Sequence, residues 1–263
     1  VTFAFVEDTA VKARGHDVYD AVVTDRWSIG GRPNGGYLMG IILTAIGQSL
    51  THPDPLTSTG HFLSPADPGP AEVAVIVQKR GRSVSTAQAV LRQGERDRLL
   101  VLATYGDLET SVGQTRILEE KPDPGPTLIS SKGRPTPFPI VERFEYLLPL
   151  EQAAAASGKP SSIDGPAELF GRIKFADDMP ASTSSLPLLM DAYPPAVFRL
   201  GMIGWTPTLE LTVHARGRPV PGWLTLRVRT RYLINGLMEE DGELWDETGS
   251  LIAMSRQMAR VLV

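Results

Sequence analysis

The 263-residue chain contains no cysteine. Disulfides, thiolate zinc sites, iron–sulfur clusters and a thiol nucleophile are therefore excluded. Histidine is scarce as well. His16, His52, His61 and His214 are the four, and none stand at the spacing of a helical metal pair. There is no basic excess: net charge is −4 and the isoelectric point about 5.6, so nucleic acid is not an expected partner. No apolar run approaches the ~20 residues of a membrane-spanning helix. The first residues show no basic region followed by an apolar stretch, and the cytoplasm is the expected compartment. The nearest match to a G-x-S-x-G nucleophile elbow, Gly81-Arg-Ser-Val-Ser85, ends in serine. A Walker A loop, G-x-G-x-x-G and H-E-x-x-H are all missing. Catalysis, if present, falls to carboxylates, hydroxyls, amides and backbone groups, and no cofactor or metal is expected.

What remains is an ordinary globular composition, 42% hydrophobic and 21% charged, with mean hydropathy −0.07. Asp17–Asp25 is rich in β-branched residues and reads as a strand. Residues 30–36 carry four glycines and a proline and read as a turn. Tyr37–Leu50 is apolar almost all round, which predicts a buried helix ending before His52-Pro53. Four strands follow, over Leu56–Ser64, Ala71–Lys79, Ser83–Arg92 and Arg98–Gly106. The stretch 109–140 is proline-dense and reads as a linker or an extended surface crossing, and 153–166 as a loop. Then come a strand at Ala167–Phe175, a short helix over Ser184–Ala192 halted by Pro194-Pro195, and four more strands. These cover Thr208–Arg216, Trp223–Tyr232, Leu237–Asp246 and Ser250–Leu262.

Both halves thus follow one order: strand, buried helix, four strands. An ungapped offset of 151 residues sets Gly40 on Asp191, Thr57 on Thr208 and Gly106 on Gln257. Two positions without a side chain in the first half become a carboxylate and an amide in the second. That asymmetry predicts one site per pair of repeats. Asp191 lies in the apolar segment LPLLMDAYPP, and an acid in such a setting is uncommon unless paired or functional.

Several short motifs carry a family resemblance. They are Gly35-Gly36 leading into YLMGIILTA, His61-Phe-Leu-Ser-Pro-Ala-Asp67 and Gly81-Arg-Ser-Val-Ser-Thr-Ala87 in the first half. In the second half they are Met190-Asp191-Ala192, Thr208-Leu-Glu-Leu-Thr-Val-His214 and Ser255-Arg-Gln-Met-Ala259. With these the chain resembles the acyl-CoA thioesterase II family, the double-hotdog thioesterases, over roughly residues 15–108 and 167–262. The resemblance implies an α+β double hotdog: two tandem repeats, each a helix wrapped by a curved antiparallel sheet. It implies an N-terminal repeat at 1–108, a proline-rich linker and crossing segment at 109–166, and a C-terminal repeat at 167–263 carrying the site. The site residues it implies are Asp191, Thr208 and Gln257, the substrate an acyl-CoA, and the assembly a homo-oligomer.

A thioester carbonyl is already electrophilic and needs a positioned water and support for the oxyanion. Asp191 is expected to act as general base, its pKa raised by desolvation. Thr208 and Gln257 are expected to hold the water, with backbone N–H groups or the Gln257 amide meeting the oxyanion. His61 reads as structural. Glu210 and His214, two and six residues after Thr208, are expected to share its strand face. Lys79, Arg80 and Arg82 read as a solvated turn. The alternatives are a non-catalytic acyl-CoA or lipid binder and a hotdog enoyl-CoA hydratase. The latter resembles an Asp with a His five residues on, where this chain has Ala196.

Overall fold

A computed structural model describes residues 2–156 and 166–262. The first half contains α1 (Ala4–Asp8), β1 (Val11–Gly15), β2 (Val18–Val23), the short β3 (Ser28–Ile29) and β4 (Arg32–Pro33), and α2 (Gly35–Ser49). Strands β5 (Asp54–Phe62), β6 (Gly69–Arg80), β7 (Ser85–Gln93) and β8 (Arg96–Gly106) complete it. The crossing segment supplies β9 (Leu128–Ser130), β10 (Phe144–Pro149) and α3 (Leu150–Ala156). The second half contains β11 (Ala167–Phe175), α4 (Leu186–Met190), β12 (Thr208–Ala215), β13 (Leu224–Thr230), β14 (Leu233–Ile234), β15 (Leu237–Trp245) and β16 (Leu251–Arg260).

All the longer strands join one antiparallel sheet in the order β1-β2-β6-β7-β8-β5-β12-β16-β15-β13-β11-β10-β9. The halves meet at β5 and β12, where Gly60 stands opposite Leu211 and Thr59 opposite Thr212. This is the α+β double hotdog expected from the sequence. The alternation that builds it is clear in β7 and β11, whose side chains turn in and out residue by residue. The inward faces close over the two helices.

Helix α2 has no charged residue, and 11 of its 15 residues are buried. Asn34 caps it, the side-chain oxygen accepting from the Tyr37 backbone N–H at 3.0 Å. Helix α4 packs against α2 and is far shorter. A 3₁₀ turn at Thr183–Ser185, with a Ser182/Ser185 capping box, leads into it. It ends at Asp191, and Pro194-Pro195 lie just beyond. At the crossing, a β-carbon on Gly36 would sit 2.3 Å from the Pro187 carbonyl oxygen, so the two helices meet backbone to backbone.

Three sequence expectations change. Residues 153–156, read as loop, belong to α3: four consecutive alanines, Ala153–Ala156, are strong helix formers. The rest of that loop, 157–165, lies outside the described residues. The crossing segment also builds β10, whose Phe144 and Tyr146 turn inward. It is pinned to the second half, Arg227 donating to Glu119 at 2.8 Å and Lys121 to the Asp246 carbonyl at 3.0 Å. Finally, the constant offset of 151 holds for the helix starts, Gly35 and Leu186, but not for the strands. Thr57 stands opposite Thr104 of β8, so that offset would set Thr208 opposite Ser255. Thr208 instead faces Ala259. Gly106 is therefore not the counterpart of Gln257: Thr57 and Thr104 are 47 residues apart but Thr208 and Ala259 are 51, so the chain between the paired strands is longer in the second half.

Candidate active site

The C-terminus of α4 delivers Asp191 to the N-terminus of α2. Its Oδ2 accepts from Asn34 Nδ2 at 2.8 Å and from the Gly36 backbone N–H at 3.0 Å. Asn34 Nδ2 also reaches the Asp191 backbone carbonyl at 3.0 Å. One asparagine thus caps the first helix and fixes the residue that ends the second. The positive end of a 15-residue helix suits an anion. Burial acts in the opposite sense and prevails, pushing the Asp191 carboxyl up to about 6 against the bonds from Gly36, Asn34 and Gly35. The carboxylate can come this close because the helix begins with two glycines. A β-carbon on Gly35 would lie 2.7 Å from the Phe62 ring and 3.3 Å from Asp191 Oδ2.

Across the sheet, Thr208 opens β12 and Gln257 lies on β16. The Thr208 hydroxyl donates to Gln257 Oε1 at 2.8 Å. Gln257 Nε2 donates to Glu240 Oε1 at 2.6 Å, and Glu240 Oε2 accepts from the Ala196 backbone N–H at 2.5 Å. Glu240 and Gln257 are directly opposed in the β15–β16 ladder and are 4% and 8% exposed. Burial pushes Glu240 up to about 7, and the charges of Asp191 and Glu239 add to the rise. Asp191 is therefore within electrostatic reach of Glu240. Thr208, Gln257 and Glu240 form one hydrogen-bonded chain, and the charge of Asp191 is felt at its Glu240 end.

A β-bulge between Thr208 and Glu210 decides which side chains take part. It turns Thr208 inward, opposite buried Ala259, while Glu210 stands opposite exposed Met258. Glu210 and His214 consequently lie on the outer face and do not share Thr208's side, contrary to the spacing argument. Glu210 accepts there from Thr212, and Thr212 and Thr59 share a 2.8 Å hydrogen bond across the junction of the halves. His61 is exposed on that outer face as well. At the end of β6, Arg80 donates to the Ser49 carbonyl at 2.8 Å and so closes the end of α2.

Sequence reasoning missed Asn34 and Glu240. Asn34 stood in view as an N-cap three residues before Tyr37. Glu240 shares the inward parity of Met238, Gly242 and Leu244, and a carboxylate at a core position of an alternating strand was the available signal. Among the described residues, no group of three or more His, Asp or Glu side chains is placed to hold a metal ion. No helix among them is long and apolar enough to cross a membrane.

Comparison with known proteins follows the same outline. The family profile for the acyl-CoA thioesterase N-terminal domain matches residues 23–106, and that for the C-terminal domain matches residues 118–261. A crystal structure of a proposed thioesterase II from Thermobifida fusca is 31% identical, superposes with a TM-score of 0.89, and spans 100% of this chain and 98% of its own. A hot dog protein of unknown function from Alicyclobacillus acidocaldarius is 21% identical with a TM-score of 0.84, covering 100% and 99% of the two chains. An uncharacterised protein of Mycobacterium tuberculosis is 24% identical over 276 residues, 93% of this chain and 91% of that one.

Proposed function

Because the chain belongs to the acyl-CoA thioesterase family, we propose that it hydrolyses acyl-CoA thioesters by direct attack of a water held between Asp191 and Thr208. The observation that carries this reading is a half-buried carboxylate at the positive end of α2, on the side of the sheet where Thr208 and Gln257 are hydrogen-bonded. The direction of the Thr208 bond sets the chemistry. Its proton is committed to Gln257 Oε1, so its oxygen is an acceptor toward the water. A water giving one proton to Thr208 and the other to Asp191 turns a lone pair to the thioester carbonyl. Asp191 takes a proton as the new carbon–oxygen bond forms. The oxyanion develops near the positive end of α2, and such donors and dipoles typically supply about 3–4 kcal/mol. Collapse breaks the carbon–sulfur bond, and the proton on Asp191 passes to the departing thiolate of coenzyme A. No acyl-enzyme is needed.

Release of coenzyme A thiol from acyl-CoAs of increasing chain length, read with a thiol-reactive dye, tests this. A chain without cysteine gives no background. Wild type is expected to turn over, and Asp191→Asn to lose a factor of about 10²–10⁴. Undiminished turnover in that variant overturns the assignment of Asp191. A folded wild type that binds acyl-CoA without hydrolysing it replaces the enzyme with an acyl-CoA-binding module.

A further inference from the structure

We propose that Glu240 is a positioning residue that sets the direction of the hydrogen-bond chain through Gln257 to Thr208, and so decides whether Thr208 receives a proton from the attacking water or points one at it. This rests on the water-attack reading above.

Two N–H donors converge on the Glu240 carboxylate, the Ala196 backbone at 2.5 Å and Gln257 Nε2 at 2.6 Å. A carboxylate meets both, because each of its oxygens accepts. With Nε2 so engaged, the other end of the Gln257 amide must be its oxygen, and that oxygen receives the Thr208 proton at 2.8 Å. The order donor-to-acceptor therefore runs from Thr208 to Gln257 to Glu240. It is fixed at the buried end by a backbone group that cannot turn. If the Glu240 carboxyl gains a proton toward Gln257, the amide must turn over and present Nε2 to Thr208. Thr208 then donates toward the water, which loses one of its two proton acceptors.

The charges that face Glu240 are few. Asp191 stands at the end of α4, and Glu239 lies on its own strand. Among the described residues, the inward positions of β13 are Leu224, Leu226, Val228 and Thr230, and those of β16 beside it are Gln257 and Ala259, none ionisable. Arg199, in the helical turn that supplies Ala196, donates to the Glu151 carbonyl. Burial and the charges of Asp191 and Glu239 raise the Glu240 pKa to about 7, which brings the reversal into the working range. The two carboxyls then titrate as a coupled pair.

The test is Glu240→Gln, the same size and shape. The new amide has one oxygen for two donors. That oxygen stays on the Ala196 N–H, its NH₂ faces Gln257, and the chain reverses. We expect kcat to fall about 10–100-fold, KM to change less than about threefold, and the acid limb of the kcat profile to reduce to a single ionisation, that of Asp191. The exchange Glu240→Gln with Gln257→Glu restores acceptors toward both the new amide and Thr208, and is expected to recover at least fivefold over Glu240→Gln alone. A merely structural role gives neither the altered pH limb nor the recovery. Wild-type kcat and pH profile in Glu240→Gln overturn the proposal, as does a loss that the exchange leaves uncorrected. Should Glu240→Gln melt well below wild type, the exchange variant still decides: activity no better than Gln257→Glu alone overturns the proposal. The water-attack reading stands or falls separately, on Asp191→Asn.

Discussion

The two halves share a strand order yet treat their helices differently. In the first, α2 runs 15 residues without a charge and fills the core from end to end. In the second, α4 stops after five residues, and the chain turns out through Tyr193-Pro194-Pro195. The short helix is what places a carboxylate at the start of the long one. The strands differ in the same sense. The inward positions of β8 are Leu99, Val101, Ala103 and Tyr105, whereas β15 and β16 place Glu240 and Gln257 among theirs. The first copy contributes a helix end and its Asn34 cap; the second contributes Asp191, Glu240 and Gln257.

Erasing that difference at Asp191 is expected to have the largest effect. Beyond the loss of turnover, Asp191→Asn is expected to be more thermostable than wild type at pH 8. The folded pKa of about 6 lies above the ordinary value of 3.8, so the native state binds the proton more tightly than the unfolded chain. The stabilisation from that proton is full below about pH 4 and is lost as pH rises through 6. Thermal melts of both proteins at pH 5 and pH 8 check this, with a larger gain at pH 8. With Asp191 as the proposed base, wild-type kcat/KM is expected to fall as pH drops through about 6.

Thr208→Val keeps the shape and removes the acceptor. A drop of about 10–100-fold in kcat with little change in KM is expected from steady-state kinetics. Gly36→Ala attacks the helix crossing instead. Its methyl group meets the Pro187 carbonyl, and the helices must part, a change of about 1–3 kcal/mol measurable by denaturant titration. Asp191 moves with α4, so activity should fall further than stability alone explains. Thr212→Val, on the outer face at the junction of the halves, is the mildest. It removes the bond to Thr59 and should alter stability by about 0.2–1 kcal/mol, with kcat intact.

Strand and helix order were legible because period-2 alternation and the uncharged run of α2 are local signals. The site was legible in part. Asp191 stood out as an acid among apolar residues, and Gln257 lay near the end of an alternating strand. Glu210 and His214 were misplaced because one bulged residue inverts every later side chain, and a bulge leaves no mark in the spacing. A different length of chain between the paired strands, 47 residues from Thr57 to Thr104 against 51 from Thr208 to Ala259, defeats an ungapped repeat offset. Glu240 was hidden in the acidic run Glu239-Glu240-Asp241, where composition suggests a wet surface and parity alone reveals the buried member. The pairing of Asn34 with Asp191 spans 157 residues of sequence, and no local pattern reports it.

That long-range pairing, together with the seam between β5 and β12, bears on how the protein behaves on dilution. Asn34 and Gly36 come from one half and Asp191 from the other, so the site is assembled across a boundary. Two separate chains meeting in this way would obey mass action and come apart at low concentration. Here both parts are tethered in one polypeptide and held at a fixed effective concentration. Specific activity should therefore stay constant per chain down to nanomolar protein.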